Sequence, residues 1–266
     1  MVICTLGDLL MDVVVKLAQP LAEGDDTRAE TRVAGGGQAA NVAAWAAALG
    51  AESRFVGKRG ADASGEVAEA DLLRRAVDVL GPPPQGRNGV VVSLVEANGE
   101  RTMVSDRGVA PELTADELQP DWFDRCDWLH LSGYSLMREP IGTAAERAAA
   151  FARERGARIS VDLSSVNVIR EFGADRLAER LATIRPDVVF GNEAEHRALE
   201  VESEVVVIKR GANGATIDGQ DYAAAPGEVV DTTGAGDALA AGYLVGGPEL
   251  ALEAAARCVA GLGTMP

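Results

Sequence analysis

Val230-Asp231-Thr232-Thr233-Gly234-Ala235-Gly236-Asp237 runs directly into Ala-Leu-Ala-Ala-Gly-Tyr-Leu-Val. An extended segment enters, small residues turn, and an apolar, Ala-rich helix begins near Gly236. Small residues at such a turn let backbone N–H groups converge ahead of the helix, where the helix dipole adds about half a positive charge. The result is a seat for an anion, suited to the charge that develops during phosphoryl transfer. Asp237 stands at its mouth, where a carboxylate can take a proton from an attacking hydroxyl. Asp is also a favoured helix N-cap and glycines make ordinary turns, so these residues alone leave both readings open. The stretch is no Walker loop, because it lacks the GxxxxGK[ST] lysine.

Working outward, the same strand-then-helix rhythm fills most of the chain. Strands are expected at 2–6, 53–57, 127–132, 158–163, 187–191 and 204–209. Helices are expected at 38–49, 63–76, 140–155, 172–184, 192–199, 236–246 and 248–260. This alternation predicts an α/β fold with a central, mainly parallel sheet flanked by helices. Thr114-Ala-Asp-Glu117 is a capping box and predicts a short helix. No linker, repeat or low-complexity tract interrupts the chain, so one domain over 1–266 is expected. Two segments break the rhythm. Residues 12–33 form two extended pieces around a polar turn, and residues 89–105 carry Asn98-Gly99, a two-residue hairpin signal. They predict either a small second sheet covering a ligand site or edge hairpins of the main sheet.

A second glycine motif, Gly35-Gly-Gly-Gln-Ala-Ala-Asn41, opens the helix ending at Gly50. Its glycines allow close approach of a ligand, and Asn41 offers both a donor and an acceptor. Gly35-x-Gly37-x-x-Ala40 also satisfies the dinucleotide fingerprint, which keeps an NAD(P)-dependent oxidoreductase in view. That fingerprint should follow the first strand, however, and here the 12–33 ribbon intervenes.

Taken together, the two motifs resemble the two signatures of the PfkB/ribokinase family of carbohydrate and nucleoside kinases. Gly36-Gly-Gln-Ala-Ala-Asn41 through Gly60 is similar to the first. Asp231-Thr-Thr-Gly-Ala-Gly-Asp237 through Gly242-Tyr-Leu244 is similar to the second. Gly7-Asp8 with Asp12, Phe55-Val-Gly57, Gly60-Ala-Asp62, Asn192-Glu-Ala-Glu195 and Lys209-Arg-Gly-Ala-Asn-Gly214 agree with it. The resemblance implies a ribokinase-like, Rossmann-like domain with a small β-sheet lid, here 12–33 and 89–105. It implies transfer of the ATP γ-phosphoryl group to a hydroxymethyl oxygen, with ATP and Mg²⁺ required and a monovalent cation beside Asp231 common in the family. By that resemblance Asp237 is the general base, and the amides of Gly234, Ala235 and Gly236 form the anion hole. Asp12, Gly36, Gly37 and Asn41 hold the substrate; Asn192, Lys209, Gly211 and Gly214 border the nucleotide. Glu195 reaches the metal through water. The lid ribbons carry no aromatic residue, which favours a small sugar or sugar acid over a nucleoside, the alternative substrate of this fold. The segment between Glu195 and the strand at 204 is short and puts the nucleotide wall in question.

Other candidates have two readings each. Asn192 and Glu195 read equally as a helix cap, and Lys209 as an exposed strand end. Asp106-Arg107-Gly108 reads as substrate contact or a turn-borne ion pair. Asp162 ends a parallel strand, the edge where ligands gather in α/β folds. His130 reads as a core residue. Composition sets the outer bounds. A formal charge of −16 lacks the basic face a nucleic-acid binder needs and disfavours an anionic membrane. Three separated cysteines give no disulfide framework and fit a reducing cytoplasm, and two histidines exclude a multi-histidine metal site. The N-terminus lacks a signal-peptide pattern, so a cytoplasmic protein is expected. Exposed ribbon edges predict a homodimer through the lid.

Overall fold

The computed structural model describes residues 1–96, 101–199, 201 and 203–266. In chain order the elements are β1 (Val2–Leu6), β2 (Leu10–Leu17), β3 (Ala29–Gly36), α1 (Gln38–Ala48), β4 (Glu52–Val56), α2 (Ala63–Arg74), β5 (Val77–Leu80), β6 (Asn88–Val95) and β7 (Arg101–Gly108). After three 3₁₀ turns come β8 (Trp128–Ser132), α3 (Gly133–Leu136), α4 (Ile141–Glu154), β9 (Arg158–Asp162), α5 (Val166–Phe172), α6 (Ala174–Ile184), β10 (Val188–Asn192) and α7 (Glu193–Ala198). The chain closes with β11 (Val205–Lys209), β12 (Ala215–Ile217), β13 (Gln220–Tyr222), α8 (Ala235–Gly246) and α9 (Pro248–Val259).

Strands order as β13-β12-β11-β10-β9-β8-β1-β4-β5, parallel from β11 to β5, with β12 and β13 antiparallel at one edge. All five residues of β1 are buried, as the continuous apolar run Val-Ile-Cys-Thr-Leu demands of a strand covered on both faces. Period two sorts its side chains. Val2, Cys4 and Leu6 join Leu129, Leu131 and Ile159 under α4 and α6, while Ile3 joins Phe190 and Val207 under α1 and α8. Among the described residues no helix is long and apolar enough to cross a membrane.

From β1 the chain crosses through α1 to β4 on one side, whereas β8, β9, β10 and β11 step away on the other. The reversal opens a crevice at the carboxyl ends of these strands, where ligands bind in such folds. Asp8, Ser132, Asp162, Asn192 and Lys209 all stand at or just past those ends.

The two ribbons form a separate four-stranded sheet, β3-β2-β6-β7, which overturns the alternative that they are edge hairpins of the main sheet. They join through parallel pairing of β2 with β6. The strands begin and end outside the expected limits, at 10–17 with 29–36 and at 88–95 with 101–108. The Asn98-Gly99 turn lies outside the described residues. Asp12 and Val14 on β2, Ser93 on β6 and Met103 on β7 face the crevice. On the opposite face Val33, Val13, Val92 and Val104 stand in one register across all four strands. The expected helix at 172–184 is α6, and an unexpected helix, α5, precedes it, ending before Gly173, whose φ of 102° separates the two. Thr114 caps a single 3₁₀ turn, Ala115–Glu117, with the reciprocal capping-box bonds in place.

Candidate active site

The turn before α8 is shaped by Asp231. Its Oδ1 accepts the Thr233 N–H at 2.9 Å and hydroxyl at 2.6 Å, and its Oδ2 accepts the Gly263 N–H at 3.2 Å. Gly234 then turns left-handed at φ 78°, where a Cβ would lie 2.8 Å from the Thr264 carbonyl oxygen. Only glycine fits that position without strain. Among the described residues the N–H groups of Gly234, Gly236 and Asp237 meet no acceptor, and that of Ala235 has only a long 3.4 Å contact to the Thr232 carbonyl. Unspent donors at a helix start, with the dipole behind them, form an anion seat.

Asp237 faces a cavity of about 340 Å³ on one side of this turn. Its Oδ2 accepts the Asn41 amide Nδ2–H at 2.7 Å. Burial pushes its pKa up to about 7; the Asn41 hydrogen bond opposes the shift, the Asp162 and Asp12 charges reinforce it, and Lys209 counters them. Such a value suits a proton acceptor working near neutral pH. The same cavity is lined by Asp12, Gly37 and Asn41, whose Oδ1 is buried and has no partner. Burial raises Asp12 to about 6, against a hydrogen bond with Thr264. Gly36 lies directly beneath that carboxylate: a Cβ there would overlap it.

A second cavity, about 300 Å³, opens on the other side of the turn. Ala235 and Gly236 form its floor, and its walls are mostly small or apolar: Gly211, Gly214, Ala225, Gly227, Leu239, Leu252 and Val259. These walls come from residues 211–229, α8 and α9, so the short segment after Glu195 does not form them. Lys209 enters this cavity with its Nζ 2.7 Å from Asp162 Oδ2. Burial works against the ammonium charge, but the Asp162 carboxylate outweighs it and holds the lysine pKa above its ordinary value. A Cβ on Gly236 would lie 3.2 Å from that Nζ, so the amine packs against the anion seat. Lys209 is therefore not the exposed strand end of its bland reading.

Asn192 and Glu195 are brought together, but as a cap. Asn192 Oδ1 accepts the N–H groups of Ala194 and Glu195, while Glu195 accepts the Asn192 N–H at 2.8 Å and side-chain amide at 2.7 Å. Burial raises the pKa of Glu195, which lines neither cavity. Each of its oxygens keeps a second lone pair, which leaves room for a water-bridged contact. Among the described residues no group of three or more His, Cys, Asp or Glu side chains is gathered to hold a metal ion. His130 is a core residue: Nδ1 meets Ser160 Oγ at 2.9 Å and burial lowers its pKa to about 4.

Sequence reasoning passed over Gln38, Ser132, Tyr134, Ser164, Thr233 and Thr264, all of which line the first cavity. Gln38 lay inside a quoted motif and precedes Asn41 by one helical turn, which was the available signal. Arg107 lies on β7 and not on a turn. It forms a forked ion pair with Asp8, at 2.5 and 2.8 Å, and also lines the cavity. Gly37, the fingerprint's central glycine, is the N-cap of α1 and follows β3 of the small sheet, not β1 of the main one.

Comparison with known proteins agrees with this geometry. Residues 2–265 match the family model described as pfkB family carbohydrate kinase. An ATP-dependent ribose-1-phosphate kinase of Halopiger xanaduensis is 31% identical over 96% of this chain and 90% of its own length. Fructokinase-1 of Zea mays is 31% identical over 91% and 81%. Among solved structures, adenosine kinase from Sinorhizobium meliloti superposes with a TM-score of 0.88 at 23% identity, covering 99% and 95% of the two chains. A putative ribokinase II from E. coli gives 0.84 at 21%, covering 99% and 94%. With both signatures in place on a ribokinase-like fold, the chain belongs to the pfkB family of carbohydrate kinases, phosphotransferases that act on an alcohol group.

Proposed function

We propose that this protein transfers the γ-phosphoryl group of ATP to the hydroxymethyl group of a small sugar or sugar derivative, with Asp237 as general base. One observation carries the reading: a carboxylate facing the first cavity and unspent backbone donors share a single turn between two cavities. The acceptor hydroxyl enters from the Asp12 side and loses its proton to Asp237. The amides of Gly234, Ala235 and Gly236 receive the charge on the transferring group. The nucleotide lies in the second cavity along Gly211 and Gly214, with Asn192 at the end of β10 and with Lys209 at its phosphates. The names of relatives with ATP, or with ATP and Mg²⁺, bound support that donor.

A Mg²⁺ ion fits this donor set only in the form typical of kinases, carried by the phosphates and its own waters. Glu195 would hold it through water, and the ion would neutralise charge on the phosphates. Asp231 would border a monovalent cation, as the family resemblance implies.

Asp12, Gly36, Gly37 and Asn41 hold the sugar. Gly36→Ala drives a methyl into the Asp12 carboxylate and displaces it, so kcat/KM for the sugar should fall on the order of 10²-fold while the ATP KM changes little. Wild-type kinetics in that variant would remove Asp12 from the binding set.

The small sheet closes over the crevice as a lid within a single functional domain and excludes water, the competing acceptor. Its outer row of valines, with Val33 and Val104 more than half exposed, pairs with a second copy to form a homodimer. Light scattering should report a dimer that Val104→Asp converts to monomer. A monomeric wild-type protein would end that part of the reading.

A further inference from the structure

Two hydrogen-bonded clusters line the sugar cavity, and they offer opposite kinds of group. Around Asp237 the groups are acceptors: its own carboxylate, that of Asp12, and the unpartnered Asn41 Oδ1. One turn earlier on α1, about 4.5 Å along the axis, Gln38 heads the other cluster. Its Oε1 accepts the hydroxyls of Ser132 at 2.6 Å and Ser164 at 2.5 Å. Those bonds occupy the carbonyl end of the amide and leave Nε2, with two N–H donors, without an acceptor among the described residues.

The cluster is held firmly. Ser164 sits at a left-handed φ of 68°, a costly position for a serine, and its N–H donates to Asp162 Oδ1 at 2.9 Å. The Tyr134 N–H donates to Ser164 Oγ, and the Tyr134 carbonyl accepts from Arg107 Nη1 at 3.2 Å. Asp8 is fully engaged by the other edge of the same guanidinium. Arg107 has five N–H donors and spends three, and both Arg107 and Gln38 line the cavity. The Gln38 end is thus rich in donors, and the two carboxylates behind it, Asp8 and Asp162, are paired with Arg107 and Lys209.

We propose that the Gln38–Arg107 end binds an anionic substituent of the sugar, a phosphate or a carboxylate, remote from the accepting hydroxymethyl group. This rests on the kinase reading and names the substrate class for the same cavity. Anionic oxygens satisfy several donors at once through charge-assisted bonds, whereas a neutral hydroxyl leaves part of a donor-rich end unmatched. The chain's overall charge of −16 does not draw anions in from a distance, so discrimination is made by contact.

The test is calorimetric binding to the full chain carrying Asp237→Asn, with ribose against ribose 1-phosphate, glucose against gluconate, and adenosine. At least one anionic member should bind more than about 10-fold tighter than its neutral partner, and which one wins separates phosphate from carboxylate. Gln38→Glu keeps both serine bonds but turns the donor into an acceptor, and should shrink that preference on the order of 10–100-fold. Gln38→Met removes the donor without adding charge and serves if the Glu variant does not fold. Equal binding of neutral and anionic members, adenosine binding as tightly, or a preference untouched by the Gln38 variants would overturn the proposal. An ADP-release assay on the unsubstituted protein keeps the two readings apart. Selective binding without ADP release defeats the kinase reading alone, and equal turnover of both members of a pair defeats this one alone.

Discussion

Asp237→Asn should lower kcat by on the order of 10²–10⁴-fold and leave the sugar KM within a few-fold. The substitution is nearly isosteric and its carbonyl oxygen can still accept the Asn41 amide, so the cavity survives while the proton acceptor is lost. The same carboxylate predicts the pH profile. Its pKa is raised to about 7, chiefly by burial, and it works as a base only when ionised. Activity should therefore rise with pH through about 7 and level off above it. Asn41→Leu removes a hydrogen bond that favours the ionised form, so the folded-state pKa climbs further and the acid limb moves to higher pH. Rate profiles of kcat between about pH 5.5 and 8.5 check both statements. A profile flat across that range, or an Asp237→Asn enzyme of ordinary rate, would dismiss Asp237 as the base.

What the sequence made readable follows the range of the interactions involved. Strands β1 and β10 announce themselves because a run buried on both faces must be mainly apolar along its length. The two glycine motifs are equally local, since each packs a turn and a helix start into seven or eight residues. The strands β5, β12 and β13 went unread because three or four residues give no periodicity. Even so, Asp218-Gly219 between β12 and β13 carried the same hairpin signal that was read elsewhere. Long-range features had no local trace. The Asp8–Arg107 fork spans 99 positions and the Gln38–Ser164 bond 126, and each depends on where the small sheet and β9 come to rest. The union of two ribbons in one sheet likewise rests on parallel pairing of β2 with β6, which neither ribbon's pattern encodes. Capping and chemistry also share an alphabet. Asn192 and Glu195 satisfy a helix start so completely that their pattern cannot separate a cap from a phosphate site.

Lys209 offers a case in which stability and ligand binding can be separated. Its ammonium neutralises Asp162, whose side chain is only 1% exposed, at the join between β9, β11 and the anion seat. Lys209→Met leaves that carboxylate buried without its counter-charge, a loss of ~3–5 kcal/mol. In a chain of this size each kcal/mol moves Tm by ~2–4 °C, so the variant should melt ~6–20 °C lower. Adding Asp162→Asn removes the stranded charge, and its carbonyl oxygen can still accept the Ser164 N–H. The double variant should therefore regain most of the lost Tm, as replacement of both partners of a buried pair usually does. ATP binding should not return with it. If the amine beside Gly236 meets the transferring phosphate, both variants lack that contact, and the thermal shift on adding ATP·Mg²⁺ should stay small in each. Recovery of the ATP shift in the double variant would make Lys209 purely a partner of Asp162. A single variant as stable as the wild type would instead mean that the pair does not hold the strand ends together.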